Sequence, residues 1–226
     1  INFLNNLGLS YYKKNDFLSA EKYFLNVLKL NPRYINTMNN LGSLYQNINR
    51  FDEAEKILRK SLEINSEVIQ TNYNLASLLQ SIGKFDEAKK IFLKLMKLDE
   101  NFTKADLSYA ILENYQKNSE HLNIMEKKLK NENLNKSNIK DLSFALGKAY
   151  EDLNDYEKSF FYIKKGNDIK KNLTKYKIEK EEILFDKIKK FHLENQTYKL
   201  LENENEKKII FIIGMPRTGS SLVEQI

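Results

Sequence analysis

The sequence predicts a mainly α chain: a solenoid of antiparallel helix pairs, followed by the first strand, loop and helix of a truncated α/β domain. Three observations carry this expectation. Similar residues return every 34 positions, as in Leu7-Gly8, Leu41-Gly42 and Leu75-Ala76, the mark of a stacked repeat. Glycine and proline number 7 and 2 in 226 residues, too few for the turns of an all-β chain. At Lys208 helical spacing gives way to the continuous apolar run Ile209-Ile210-Phe211-Ile212-Ile213, the pattern of a strand buried on both faces.

The clear units span 1–34, 35–68 and 69–102. Tyr11 returns as Tyr45 and Leu79, Ala20 as Ala54 and Ala88, and Phe24 as Leu58 and Phe92; Pro32 follows the second half of the first unit. Each unit reads as two antiparallel helices. Gly8, Gly42 and Ala76 are small, so the second helix approaches the first closely; Ala20, Ala54 and Ala88 do the same from the second helix. Tyr11, Phe24, Tyr45 and Phe92 fill the space between units, and the units stack because one alone cannot bury its apolar face. This pattern resembles the tetratricopeptide repeat, with Leu4 and Met38 where that family usually carries Trp.

Beyond residue 100 the period fades. Residues 103–138 read as a degenerate unit around Tyr109-Ala110. Within it a short amphipathic helix covers 121–130, with Leu122, Met125 and Leu129 on one face, and a polar loop covers 131–138. Leu146-Gly147, Tyr150, Tyr156 and Ile163 restore the spacing in a further unit, 139–171, with Ser159 where alanine is usual. Residues 172–207 read as a charged linking helix carrying Ile178, Leu184, Ile188 and Phe191.

Residues 208–226 read as the start of another domain. After the strand come Gly214-Met215-Pro216-Arg217-Thr218-Gly219-Ser220-Ser221 and an opening helix. Backbone N–H groups at such a helix start, with hydroxyls and a guanidinium, make an anion cradle. The spacing Gly214 to Gly219 matches a nucleotide P-loop, but Ser220 stands where its lysine would be, which argues against an ATPase or GTPase. The string PRTGSSL resembles the 5′-phosphosulfate loop of sulfotransferases. With the repeats ahead of it, the chain is similar to bacterial tetratricopeptide-repeat proteins fused to a sulfotransferase domain. That resemblance implies transfer of a sulfuryl group from 3′-phosphoadenosine 5′-phosphosulfate, without a metal, to an unidentified acceptor. It implies that Arg217 contacts the bridging and sulfuryl oxygens. It further implies that Thr218, Gly219, Ser220 and Ser221 hold the 5′-phosphate, while Pro216 fixes the loop's entry and Gly214 permits the turn. The chain begins with Ile1 and reaches Ile226 just after this loop; it is therefore read as a fragment, expected to be inactive alone.

The repeats carry a second candidate site. Asn6, Asn40 and Asn74 occupy one position in three successive units, on the helix that lines the concave face in the repeat family. An amide both donates and accepts, so this ladder suits an extended peptide backbone of little sequence preference. Glu224 reads as a helix surface residue, and His121 and His192 as surface or packing residues.

The composition narrows the functions further. The net charge of +6 is spread along the chain rather than gathered in a stripe, which disfavours nucleic acid. Cysteine is absent, excluding disulfides and thiol chemistry. No apolar run is long enough to span a membrane, and a cytoplasmic location is the default expectation. The main reading is a repeat-fused sulfotransferase with a protein or peptide in the repeat groove. The alternatives are a protein-interaction scaffold without catalytic activity and a kinase-like phosphoryl transferase.

Overall fold

The computed structural model describes residues 1–117, 119–131, 133–174 and 178–194. Among them are eleven α-helices and no strand. The chain divides into two compact units, residues 1–176 and 177–226. The first holds α1 (Asn2–Lys13), α2 (Phe17–Leu30), α3 (Ile35–Asn47), α4 (Phe51–Ile64), α5 (Ile69–Ser81), α6 (Phe85–Leu98), α7 (Thr103–Leu112), α8 (Glu120–Leu129), α9 (Lys136–Asp152) and α10 (Tyr156–Thr174). In the second, α11 (Ile178–Glu194) is described, with Ile178, Leu184, Ile188 and Phe191 at helical spacing along it. The sulfotransferase-like segment 208–226 lies outside the described residues.

Four of the five helix pairs, all but α7–α8, close through the same turn. Asn15, Asn49 and Asn154 have φ of 61°, 60° and 59°, and Gly83 has φ of 80°. This left-handed region is open to glycine and tolerated by asparagine. The N–H of the next residue then reaches back to the first helix, Asp16 to Tyr11 at 3.0 Å, Arg50 to Tyr45 at 2.8 Å, Lys84 to Leu79 at 2.8 Å and Asp155 to Tyr150 at 2.9 Å. That is a Schellman-type C-cap, repeated in four pairs. Asp16 also caps α2, accepting from the Ser19 N–H at 3.1 Å.

The small residues act as their spacing predicts. A Cβ on Gly8 would lie 2.6 Å from Phe24 Cε1, and one on Gly42 2.7 Å from Leu58. Phe24, Leu58 and Phe92 are fully buried, as are Ala20, Ala54 and Ala88. One continuous core runs through the first three pairs to Ala105. Ion pairs tie neighbouring pairs on the outside: Glu21 binds Arg50 at 2.9 Å, and Glu55 binds Lys84 at 2.9 Å.

The fourth unit departs from this plan. The step from Ala110 to its counterpart Gly147 is 37 positions instead of 34. Of the three extra residues one precedes α8 and two follow its start; the α7–α8 connection widens to residues 113–119 because α7 ends early at Leu112, where Glu113 turns extended with ψ of 149°. The tight turn is lost and α9 packs directly on α7. A second core forms around Ala110, Leu122, Met125, Leu142 and Leu146. One local expectation is corrected here. The loop expected over 131–138 ends early, because Asn135 caps α9 by accepting from the Asn138 N–H at 2.9 Å and the helix starts at Lys136. Leu122, Met125 and Leu129 share one face of α8 as their spacing predicts, Leu129 half-buried against the second core.

Overpacking the closest approach tests this architecture. Gly42→Val forces a branched side chain into Leu58 and is expected to lower unfolding free energy by about 1–3 kcal/mol, measured by urea denaturation. Asn49→Gly, which relieves the left-handed turn, is expected to raise it by about 1 kcal/mol.

Candidate binding face and a buried polar cluster

The first helices of successive pairs approach one another more closely than the second helices do: α1 meets α3 and α3 meets α5, with no comparable contact among α2, α4 and α6. The stack therefore curves toward α1, α3 and α5, which line its inner side. Asn6, Asn40 and Asn74 lie there in register. Asn6 is exposed and the other two are half-buried.

Asn40 and Asn74 belong to a seam of hydrogen bonds that crosses from unit to unit. Tyr34 donates to Asn2 Oδ1 at 2.7 Å. Asn5 Oδ1 accepts from Thr37 at 2.7 Å and from Asn40 Nδ2 at 3.0 Å. Asn47 donates to Tyr12, and Gln46 Nε2 to Ser81 Oγ at 3.2 Å. Asn74 is engaged at both ends of its amide, accepting from Gln70 at 2.7 Å and donating to Ser43 at 3.3 Å. Because Asn74 turns to Ser43, the counterpart of Asn5 in the second unit, Asn39, keeps a buried Oδ1 without a partner among the described residues. Asn40 retains its Oδ1, and Asn6 its whole side-chain amide, without a partner among the described residues. The repeat places the three asparagines together, while their engagement depends on partners supplied by neighbouring residues and units.

A second polar cluster forms at the irregular unit. Asp106 is fully buried; Lys128 Nζ binds both its oxygens at 3.0 Å and His121 Nε2 lies 3.2 Å from Oδ1. His121 Nδ1 is 2.6 Å from the Tyr115 hydroxyl. With the imidazole proton on Nε2, Asp106 accepts it and Nδ1 accepts from Tyr115. Carboxylate, imidazole and hydroxyl in series is an order used for acyl transfer. Here Tyr115 is 2% exposed, so no substrate reaches the hydroxyl and the series is a packing device. Burial pushes the Tyr115 phenol well above its ordinary range. Burial and a hydrogen bond to Glu113 push Tyr109 up to about 12. His121 is thus an interior packing residue. Its burial was not legible from its helix alone, since its partners lie on α7 and in the loop that follows. A pocket of about 220 Å³ between α8 and α10, lined by Glu126, Leu129, Phe161 and Lys165, is small for a ligand cavity. Among the described residues no group of three or more Asp, Glu or His side chains is placed to hold a metal, and no helix is long and apolar enough to cross a membrane. Arg217 and the cradle residues Gly214, Pro216, Thr218, Gly219, Ser220 and Ser221 lie outside the described residues.

Comparison with known proteins agrees with this geometry. Models of the tetratricopeptide repeat match residues 1–67, 69–102 and 141–173, leaving unmatched the unit that departs from the plan. An uncharacterized protein of Aquifex aeolicus (strain VF5) is 28% identical over 120 residues, which are 51% of this chain and 15% of that protein. The chain thus spans a small part of that relative's length. The crystal structure of MamA superposes with a TM-score of 0.56 at 22% identity, covering 75% of this chain and 97% of MamA. That of BtubC from P. vanneervenii gives 0.61 at 16% identity, over 77% of this chain and 81% of BtubC. At these identities the likeness is one of fold. The chain belongs to the tetratricopeptide-repeat family.

Removing the centre of the polar cluster tests its role. Asp106→Ala removes the counter-charge of the half-buried Lys128 and the acceptor of His121, and is expected to cost about 3–5 kcal/mol, read by thermal and urea unfolding. The raised phenols also set a pH dependence. A tyrosine whose pKa rises from 10 unfolded to about 12 folded contributes stability that is complete below pH 10. That contribution is lost as the pH climbs toward 12. Tyr109→Phe is expected to flatten this alkaline decline, measured by urea midpoints across that range.

Proposed function

We propose that this tetratricopeptide-repeat protein is an interaction scaffold that holds an extended polypeptide along the inner side of α1, α3 and α5. The observation that carries the reading is the set of amides at one repeat interval on that side. Asn6 and Asn40 offer donor or acceptor atoms not taken up among the described residues, and Asn74 is held in place by Gln70 and Ser43. A strand of peptide presents N–H and C=O groups along its length, and side-chain amides can meet either. Rigid helices hold these groups at fixed separation, so little ordering cost falls on the scaffold when it binds.

A second reading rests on the string Gly214 to Ser221. In it the full-length protein is a sulfotransferase, with 3′-phosphoadenosine 5′-phosphosulfate as donor and the repeats presenting the acceptor. Arg217 contacts the sulfuryl oxygens, and Thr218, Gly219, Ser220 and Ser221 hold the 5′-phosphate. The missing P-loop lysine favours this donor over a nucleoside triphosphate.

Two measurements test the readings. Binding of a fluorescent peptide library should weaken about tenfold on Asn6→Ala, a loss of about 1.4 kcal/mol, with the circular dichroism spectrum unchanged; equal binding by the variant refutes the groove. For the second reading, adenosine 3′,5′-bisphosphate at 100 times its Kd should stabilise the full-length protein by about 2.7 kcal/mol. Arg217→Ala should abolish that shift.

A further inference from the structure

The inner and outer helices divide the chain's charge between them. In a chain with 30% charged residues, α3 and α5 carry none and α1 carries only Lys13. The outer helices α4 and α6 are densely charged, from Asp52, Glu53 and Glu55 to Lys90, Lys94 and Lys97. Burial does not account for the difference. Asn6, Asn36 and Asn47 on the inner helices are exposed, and Asn40, Ser43 and Gln80 are half-buried, positions where Lys or Glu is ordinarily tolerated. The cross-unit seam accounts for part of it, since Asn47, Ser43 and Ser81 bond to neighbouring units. It does not account for Asn6, Asn36 or Gln80, whose side chains have no partner among the described residues. The neutral run ends at Lys104 on α7.

We infer that the groove selects an extended polypeptide segment with uncharged polar side chains, an inference that rests on the peptide-groove reading. An acidic or basic segment laid along α1, α3 and α5 loses water from its charges and meets no opposite charge there beyond Lys13 at the end of α1, a cost with little return. A neutral polar segment loses hydrogen bonds to water and regains them from amides that both donate and accept. Its affinity is therefore insensitive to salt, whereas a charge-matched groove weakens as salt rises.

The test is an array of capped, randomised peptides in three sets, uncharged polar, acidic and basic, probed with the whole chain. The best member of each set is then titrated by fluorescence anisotropy at low and high salt, beside a neutral cello-oligosaccharide. The expected result is that the uncharged peptide binds at least about tenfold tighter than either charged one, with a salt-independent Kd. Asn6→Ala and Asn36→Ala should each weaken it. Asn36→Asp should move the preference toward the basic set. Tighter, salt-sensitive binding of a charged peptide overturns the inference and leaves the groove reading standing. Binding of the oligosaccharide alone, abolished by Asn36→Ala, overturns the choice of polypeptide. Binding of no probe overturns both readings.

Discussion

The close approach of the two helices in each pair, at Gly8 against Phe24 and Gly42 against Leu58, is the constraint on which the rest of the molecule depends. A side chain at either glycine would drive the pair apart, and the fully buried Phe24 and Leu58 would no longer fill the space between units. Because each pair is a wedge of fixed shape, stacking repeats the same rotation. The first helices meet on one side while the second helices splay on the other. The inner face, with its register of asparagines, is a consequence of that wedge.

Repetition also explains how polar groups are placed. The seam bonds join residues 31 to 35 positions apart, roughly one repeat, so each unit satisfies the polar atoms of its neighbour. Outside, the same logic uses charge: Glu21 with Arg50 and Glu55 with Lys84 bridge adjacent pairs. Such half-exposed pairs contribute little each. Their effect is to fix register on the outer face while leaving the inner face to neutral hydrogen bonding.

The fourth unit shows what happens when the repeat slips. The early end of α7 removes the left-handed turn, α9 packs against α7, and the core divides into two. Asp106, His121, Tyr115 and Lys128 are collected at that break. A buried carboxylate with two cationic or imidazole partners is costly to assemble and costlier to disrupt, which joins α7 and α8 where apolar packing between them is thin.

The sequence by itself determined the repeat, its small and aromatic positions and the register of Asn6, Asn40 and Asn74, because close packing permits few residue types at those places. It also contained the turn at Asn15, Asn49, Gly83 and Asn154, which went unread because asparagine is abundant throughout the chain. Tertiary structure alone decided which amides are spent within the chain. Asn40 and Asn74 occupy the same position, yet the first donates to Asn5 and the second to Ser43. It alone buried His121, whose partners come from another helix and an irregular loop. Local pattern fixes which face of a helix turns inward; a hydrogen bond depends on what stands opposite, and that is settled only when the units are stacked.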